Sequence, residues 1–375
     1  MALGIADWTV LIITIAFGVL IVIFIVQALI NKRYAWAFLT SLVFGFLAGL
    51  AAILNKLIFS GYFIWENFFQ SVHLNLYGFH FFFFFIFFER LISKKLNSVR
   101  LSVVFGLLLT QTIGLWLVFY FRINGLNTDI AWVLADIGYW TPALFVYFLG
   151  ISIYIRTYLY TREIKPIILC VALIFVSIGF VFSFLSDLDF ILGVFDISIT
   201  IPEIISDLAA IANVFPSIGI MMFVITYLVN INYLYRVPFN VYLLVILTKY
   251  SGTPLYGVEL KARKKVQIEK TLLSGMITAI NNVFTEIFRT DTNVRNISSR
   301  GIKILMESGE HIDSIVITDR ESYFLSQGLN RFTKLFEKKY AKELQQGARN
   351  LYIFKDATYF LKKVFPFFII EEEMV

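Results

Sequence analysis

The sequence predicts an all-α bundle of seven transmembrane helices followed by an α+β domain, and three observations carry that reading. The chain of 375 residues is 59% hydrophobic and only 15% charged, whereas a soluble domain averages about 25% charged residues. Its first 230 or so residues contain seven long apolar runs. Charge is unevenly placed: residues 1–231 hold 11 basic and 11 acidic side chains, while residues 232–375 hold 21 and 15 and so account for the whole net charge of +6. The expected division is therefore a membrane domain over 1–235 and a second domain over 236–375.

A helix needs about 20 largely apolar residues to cross the hydrocarbon core. The runs 8–30, 34–54, 67–88, 101–121, 130–155, 166–186 and 208–231 meet that length; none contains Lys or Arg, and only the fifth contains an acid, Asp136. The first run has no basic residue before it and is followed by Lys32 and Arg33, unlike a cleaved leader. Orientation follows from the short connections. One set holds Lys32, Arg33, Arg90, Lys94, Lys95, Arg100, Arg156, Arg162 and Lys165; the other holds Lys56 and Arg122. The connection 187–207 has five acids and no basic residue, which assigns it to the second set. Positive charge favours the inner side, so the N-terminus is expected outside and everything after residue 231 in the cytoplasm. An odd number of spans is required, and seven satisfies it.

Charged and polar groups inside a span mark sites worth weighing, because hydrocarbon does not solvate them. Asp136 is one, about two turns into the fifth span and close to Trp132, Trp140 and Pro142. His73 and His80, seven residues apart, share a face of the third. These three form the candidate intramembrane polar site; the competing reading is ordinary interhelical hydrogen bonding. Glu89-Arg90 at the end of the third span reads as a helix-end salt bridge. The seventh span has no Lys, which leaves a retinal Schiff base without an anchor. Gly45 and Gly49, with Ser41 and Ala52, give the second span a small-residue face for close helix approach. That approach is expected within the bundle, with a homodimer contact as the alternative. The single Cys170 excludes an intramolecular disulfide.

After residue 231 the periodicity changes. The run 241–247 is too short to span and reads as a buried strand, joined through Ser251-Gly252-Thr253-Pro254 to a second strand at 255–260. An amphipathic helix follows over 270–289, its apolar residues (Leu272, Leu273, Met276, Ile277, Ile280, Val283 among them) keeping to one stripe. Strands are expected at 294–299, 301–307 and 312–318, with Gly301 and Ser308-Gly309 at the turns. A helix over 326–344 comes next. The last apolar-rich segment, 351–370, reads as helical and too charged to span.

The order strand-strand-helix-strand-strand-strand-helix, with Gly252-Thr253-Pro254-Leu255-Tyr256 at the first turn, resembles the longin and roadblock group of small regulatory domains, including the profilin-like fold. The resemblance covers about residues 238–344. It implies a platform for protein interaction, with trafficking proteins and small GTPases among its partners, and no catalytic residues. A PAS- or GAF-like sensor is the alternative, disfavoured because one long helix separates the second and third strands.

The second domain has no GxxxxGK[ST] loop and a single histidine, His311, so neither nucleotide binding of that kind nor a kinase is expected. No enzyme activity, cofactor, metal site or nucleic-acid role is expected. Lys261, Arg263, Lys264 and Lys265 form a basic run that suits anionic lipid headgroups or a solvated hairpin edge. The expectation is thus a multi-pass membrane sensor or scaffold presenting a cytoplasmic interaction domain; a transporter or channel with a regulatory domain is the alternative.

Overall fold

A computed structural model describes residues 5–31, 35–197, 212, 214–229, 233, 235–249, 251–262, 269–288, 294–299, 301–347, 351–366 and 368–374. The chain divides into two compact units. One comprises Met1–Glu89, Leu96–Ile155 and Glu163–Ile231; the other comprises Arg90–Lys95, Arg156–Arg162 and Asn232–Val375.

The helices are α1 (Ile5–Asn31), α2 (Trp36–Leu54, continuing as a π-turn over Asn55–Phe59), α3 (Phe63–Ile92), α4 (Ser98–Ile123), α5 (Asp129–Thr161), α6 (Ile164–Gly193) and α7 (Val214–Val229). The first six are long and apolar enough to cross a membrane, which makes the chain an integral membrane protein. The seventh expected span corresponds to α7, an apolar helix of 16 residues; residues 198–211 and 230–232 lie outside the described residues. Helix α1 shows why a bilayer is needed. Phe17, Leu20 and Phe24 are buried, while Ile15, Val19, Val22 and Val26 on the opposite side are exposed and equally apolar. Water would not support such a surface. The acidic connection expected at 187–207 begins later than the sequence suggests, because α6 runs on through Asp187 and Asp189 to Gly193.

Helix pairs in this unit meet through small residues. A Cβ on Gly138 of α5 would lie 2.5 Å from the Gln111 nitrogen of α4, and one on Gly114 of α4 would lie 2.6 Å from the Ala135 nitrogen of α5. Gly179 of α6 and Gly219 of α7 are equally close to one another's helices, against Pro216 and the Ala172 carbonyl. On α2, Gly45 admits the Phe17 ring and Gly49 admits the Thr14 hydroxyl, both from α1, so the small-residue face of α2 is used inside the unit. Aromatic rings fill the remaining space: Phe81, Phe85 and Phe88 of α3 are fully buried, and Phe81 meets Tyr139, Tyr147 and Phe180 edge-on.

The second unit is built on a six-stranded sheet ordered β3-β4-β5-β1-β2-β6, with every neighbouring pair antiparallel. Its elements are β1 (Val241–Thr248), β2 (Pro254–Leu260), α8 (Lys270–Phe288), β3 (Asn296–Ser299), β4 (Ile302–Ser308), β5 (Ile312–Thr318), α9 (Tyr323–Lys339), α10 (Ala341–Gln345), a 3₁₀ turn (Leu351–Asp356), α11 (Ala357–Val364) and β6 (Ile370–Met374). Strand β1 is apolar without alternation because both its faces are covered. Leu244 and Ile246 join Val258, Val316 and the α9 residues Leu329, Phe332 and Phe336. Leu243, Val245 and Leu247 join Ile315, Ile317 and the α8 residues Leu273 and Ile277. Ser322 opens α9 by accepting a hydrogen bond from the Leu325 N–H at 3.2 Å, and Lys338 and Lys339 favour its negative end.

The segment 351–370 departs from the expected single helix. Only a 3₁₀ turn and the eight residues of α11 are helical, burying Phe354, Ala357, Leu361 and Val364. The chain then adds β6 as an edge strand beside β2. The acidic run Glu371-Glu372-Glu373 masks that strand in the sequence, since it breaks the alternation of a half-buried one.

Within this unit the short stretch Arg90–Lys95 meets the start of α9. Lys94 Nζ lies 2.6 Å from Glu321, and the Arg90 guanidinium lies 4.6 Å from the centre of the Tyr323 ring. The Tyr323 N–H donates to the Ser93 carbonyl at 3.3 Å. Arg90 therefore does not pair with Glu89, whose buried carboxylate is bound by Arg100 of α4 at 2.7 Å.

At the start of β1, the Asn240 amide donates to Asp319 at 2.8 Å and the Tyr242 hydroxyl donates to the same carboxylate. Burial, then the hydrogen bond and charge of Asp319, push the Tyr242 hydroxyl from 10.0 up to about 12. Burial and the nearby Asp356 and Glu343 push Tyr340 up to about 12 as well. A hydroxyl held protonated by the fold stabilises it below its unfolded value and loses that contribution as the pH rises. The unit is therefore expected to hold its stability below pH 10 and to lose it as the pH approaches about 12, with Tyr242→Phe flattening part of that loss in an alkaline melt. In the bundle, Gly138→Ala sets a methyl against backbone rather than a movable side chain. It is expected to cost about 1–3 kcal/mol, and an unchanged melting temperature of the solubilised protein would rule out the tight α4–α5 crossing.

Candidate functional site

The histidines of α3 are bound to α2. Ser41 donates its hydroxyl proton to the His80 carbonyl at 3.0 Å, and His80 Nδ1 lies 2.9 Å from the Ser41 carbonyl. His80 Nδ1 lies equally close, at 2.9 Å, to the Ser41 hydroxyl; with the proton on Nδ1 the ring donates to the Ser41 carbonyl while the Ser41 hydroxyl donates to the His80 carbonyl. Both are buried. Two turns earlier His73 Nδ1 is 2.9 Å from the Ala48 carbonyl. The glycine at 45 leaves room beside this joint: a Cβ there would be 3.2 Å from His80 Nδ1. Tyr77 lies between the two histidines, its ring centre 5.0 Å from that of His73 and 6.3 Å from that of His80.

Asp136 belongs to a different neighbourhood. Its carboxylate is near enough to that of Asp187 on α6 for the two to repel, and Trp140, one turn along α5, donates its indole N–H to Asp187 at 3.0 Å. Among the described residues no hydrogen bond or ion pair joins Asp136 to either histidine. The described contacts thus place the histidines at an α2–α3 joint and Asp136 beside Asp187 of α6. Among the described residues no group of three or more His, Cys, Asp or Glu side chains is placed to hold a metal, and Cys170 is buried.

Several polar joints are not foreseen from the sequence. Gln111 of α4 donates to the Leu74 carbonyl of α3 at 2.7 Å, and the hydroxyls of Tyr154 and Tyr227 meet at 2.8 Å between α5 and α7. Arg122 binds Asn67 at 2.5 Å and Gln70 at 3.1 Å. The only signal for them is polarity within an apolar run, which does not name a partner. Asp187 is legible as an acid but reads as part of a loop. A cavity of about 30 Å³ lies against Ser41, His80 and Tyr147, walled by rings including Phe17, Phe38 and Phe84. That volume holds about one water.

In the second unit, Lys261 is exposed at the end of β2, its N–H donating to the Ile369 carbonyl at 2.8 Å. Arg263, Lys264 and Lys265 lie outside the described residues. Helix α8 buries only part of its apolar stripe. Leu273, Ser274 and Ile277 are buried, whereas Leu272 is 68% exposed, Met276 42% and Val283 52%. The buried half is fastened to the β1–β2 turn, where Ser274 donates to the Gly252 carbonyl. Gly252 itself has φ +64° and no room for a side chain beside Thr278. No protein-family model, curated protein or solved structure matches the chain.

The Ser41–His80 exchange sets a scale for such joints. Ser41→Ala removes the hydroxyl that contacts the His80 carbonyl and His80 Nδ1 and leaves the Ser41 carbonyl in place. A loss of about 0.6 kcal/mol, and at most about 1.7, is expected in reversible unfolding from detergent. A much larger loss would assign the serine a role beyond this joint.

Proposed function

We propose that this chain is a multi-pass membrane sensor or scaffold whose C-terminal domain, longin- or roadblock-like, stands in the cytoplasm and binds a protein partner, small GTPases being the candidate class. The observation that carries the reading is the outer face of α8. Leu272, Met276 and Val283 recur at helical spacing and remain exposed on a helix whose opposite side is already anchored to the sheet. An apolar stripe kept out of the core is the feature a helix-mediated contact uses. The element order β-β-α-β-β-β-α agrees with the resemblance carried by the sequence.

Orientation draws support from two of the connections assigned to the inner side. Arg90–Lys95 and Arg156–Arg162 group with the C-terminal residues rather than with the bundle. Seven spans, with α7 as the last, keep the N-terminus outside and this domain inside.

The test uses the full-length protein with a photocrosslinking residue at position 276, expressed in its native cells. A cytoplasmic protein, of GTPase fold for the narrower reading, is expected to crosslink. The double variant Leu272→Glu, Met276→Glu is expected to lose the adduct at least about tenfold while the melting temperature barely moves, since exposed substitutions change stability by about 0.5 kcal/mol or less. An adduct that survives the double variant, or no adduct together with solute flux in proteoliposomes, sinks the reading.

A further inference from the structure

The segment before β6 carries two stripes of equal spacing. Phe354, Ala357, Leu361 and Val364 are buried, at steps of three, four and three residues. Tyr352, Lys355, Tyr359 and Lys362 are exposed and follow the same steps, two residues earlier. At 3.6 residues per turn an offset of two residues is about 200°, so the second stripe lies opposite the first. The 3₁₀ turn and α11 follow one another without a break, and Lys355 Nζ lies 4.9 Å from the centre of the Tyr352 ring. A helix face turned to water carries charged and polar groups. Here the outer stripe alternates an aromatic ring with a long cation, Tyr352 being 69% exposed and Tyr359 66%, and Leu351 and Ile353 are exposed as well. Tyr and Lys each join an apolar body to a polar tip, the combination that suits a membrane–water interface. Over 351–369 the three lysines Lys355, Lys362 and Lys363 outnumber the single acid, Asp356, which favours an anionic surface.

A bilayer is within reach of this stripe. Phe368 and Ile369 line one small pocket with Tyr160, Thr161, Arg236 and Lys261, all residues of the C-terminal unit, and the Lys261 N–H donates to the Ile369 carbonyl at 2.8 Å. Tyr160 and Thr161 end α5, a helix of 33 residues, which at 1.5 Å per residue is about 50 Å long. A bilayer with its headgroups measures about 40–45 Å, so the end of such a helix reaches the headgroup layer. Val364, the last residue of α11, is four residues from Phe368, a span of about 14 Å when fully extended. We propose that the outer stripe of the 3₁₀ turn and α11 lies on the bilayer surface, with the Tyr352 and Tyr359 rings among the headgroups and Lys355 and Lys362 against the phosphates of anionic lipids. This contact rests on the protein being in a membrane and not on the partner contact proposed for α8.

The experiment attaches a fluorophore to the full-length chain at Tyr359→Cys or, as control, at Glu310→Cys, each with Cys170→Ser to remove the native thiol. The protein is reconstituted in phosphatidylcholine, with or without phosphatidylglycerol, and quenching by chain-brominated lipid is measured. Glu310 lies in the turn after β4, beside Ile312, which pairs with Thr248 at the end of β1. The other end of β1, Val241, lines the pocket with Tyr160, and the strand between them covers about 23 Å. An amphipathic segment sinks about 5–10 Å into the interface, so with phosphatidylglycerol the label at 359 is expected to be quenched at least about threefold more than the label at 310. Phosphatidylcholine alone is expected to give weaker quenching at 359. At about 1 kcal/mol per charge, Lys355→Gln with Lys362→Gln is expected to shift the equilibrium away from the docked state about thirtyfold. The comparison of the two labels keeps the test valid if that double variant fails to fold. Equal quenching at 359 and 310, or quenching at 359 that neither phosphatidylglycerol nor the double variant changes, overturns the proposal. A crosslink from position 359 to a second copy, in place of lipid quenching, overturns it as well and assigns the face to self-association.

Discussion

Hydrocarbon is the constraint on which the first unit depends. A bilayer is as apolar as the side chains it surrounds, so burying Leu or Phe between helices gains little, and association must come from close packing and hydrogen bonds across helix backbones. The glycines at 114 and 138 let α4 and α5 touch main chain to main chain, and those at 179 and 219 do the same for α6 and α7. Once helices approach that closely, short polar side chains reach a neighbour's carbonyl. Ser41 with His80, His73 with Ala48 and Gln111 with Leu74 are all of this kind. Phenylalanine rings then fill the space that the crossing angles leave open.

The organising element of the second unit is β1. Pairing with β5 on one side and β2 on the other satisfies its backbone, and helices on both faces remove its side chains from solvent. With the core complete on both sides, apolar groups that stay outside become informative. The outer residues of α8 are such groups.

Much of the second unit is legible in the amino-acid sequence. The run 241–247 is separable from a span by length alone, and its lack of alternation announces a strand covered on both faces. The strand at 312–318 and the helix beginning at Lys270 lie where periodicity sets them. The failures share a cause. Asp187 reads as a loop residue because acids usually end a span, yet Trp140 of α5 gives it a partner within the helix. Residues 351–370 combine a short helix and the start of an edge strand, and neither is long enough to show a period. The stripe on α8 has the right period, and only the position of the sheet decides which half of it is buried.

The polar candidates divide along the same line. Asp136, His73 and His80 stand out because a charge or an imidazole in an apolar run is costly anywhere in it. That cost is a property of the residue and its neighbours in sequence, so the sequence alone identifies them, along with the spans and the uneven charge. Which helix each one meets is a property of the crossing. Inner and lipid-facing surfaces are equally apolar here, so no periodicity distinguishes them. Only the tertiary structure pairs the histidines with α2, gives the acid to α6, and gathers Arg236, Lys261, Tyr160 and Thr161 from three distant stretches around one pocket.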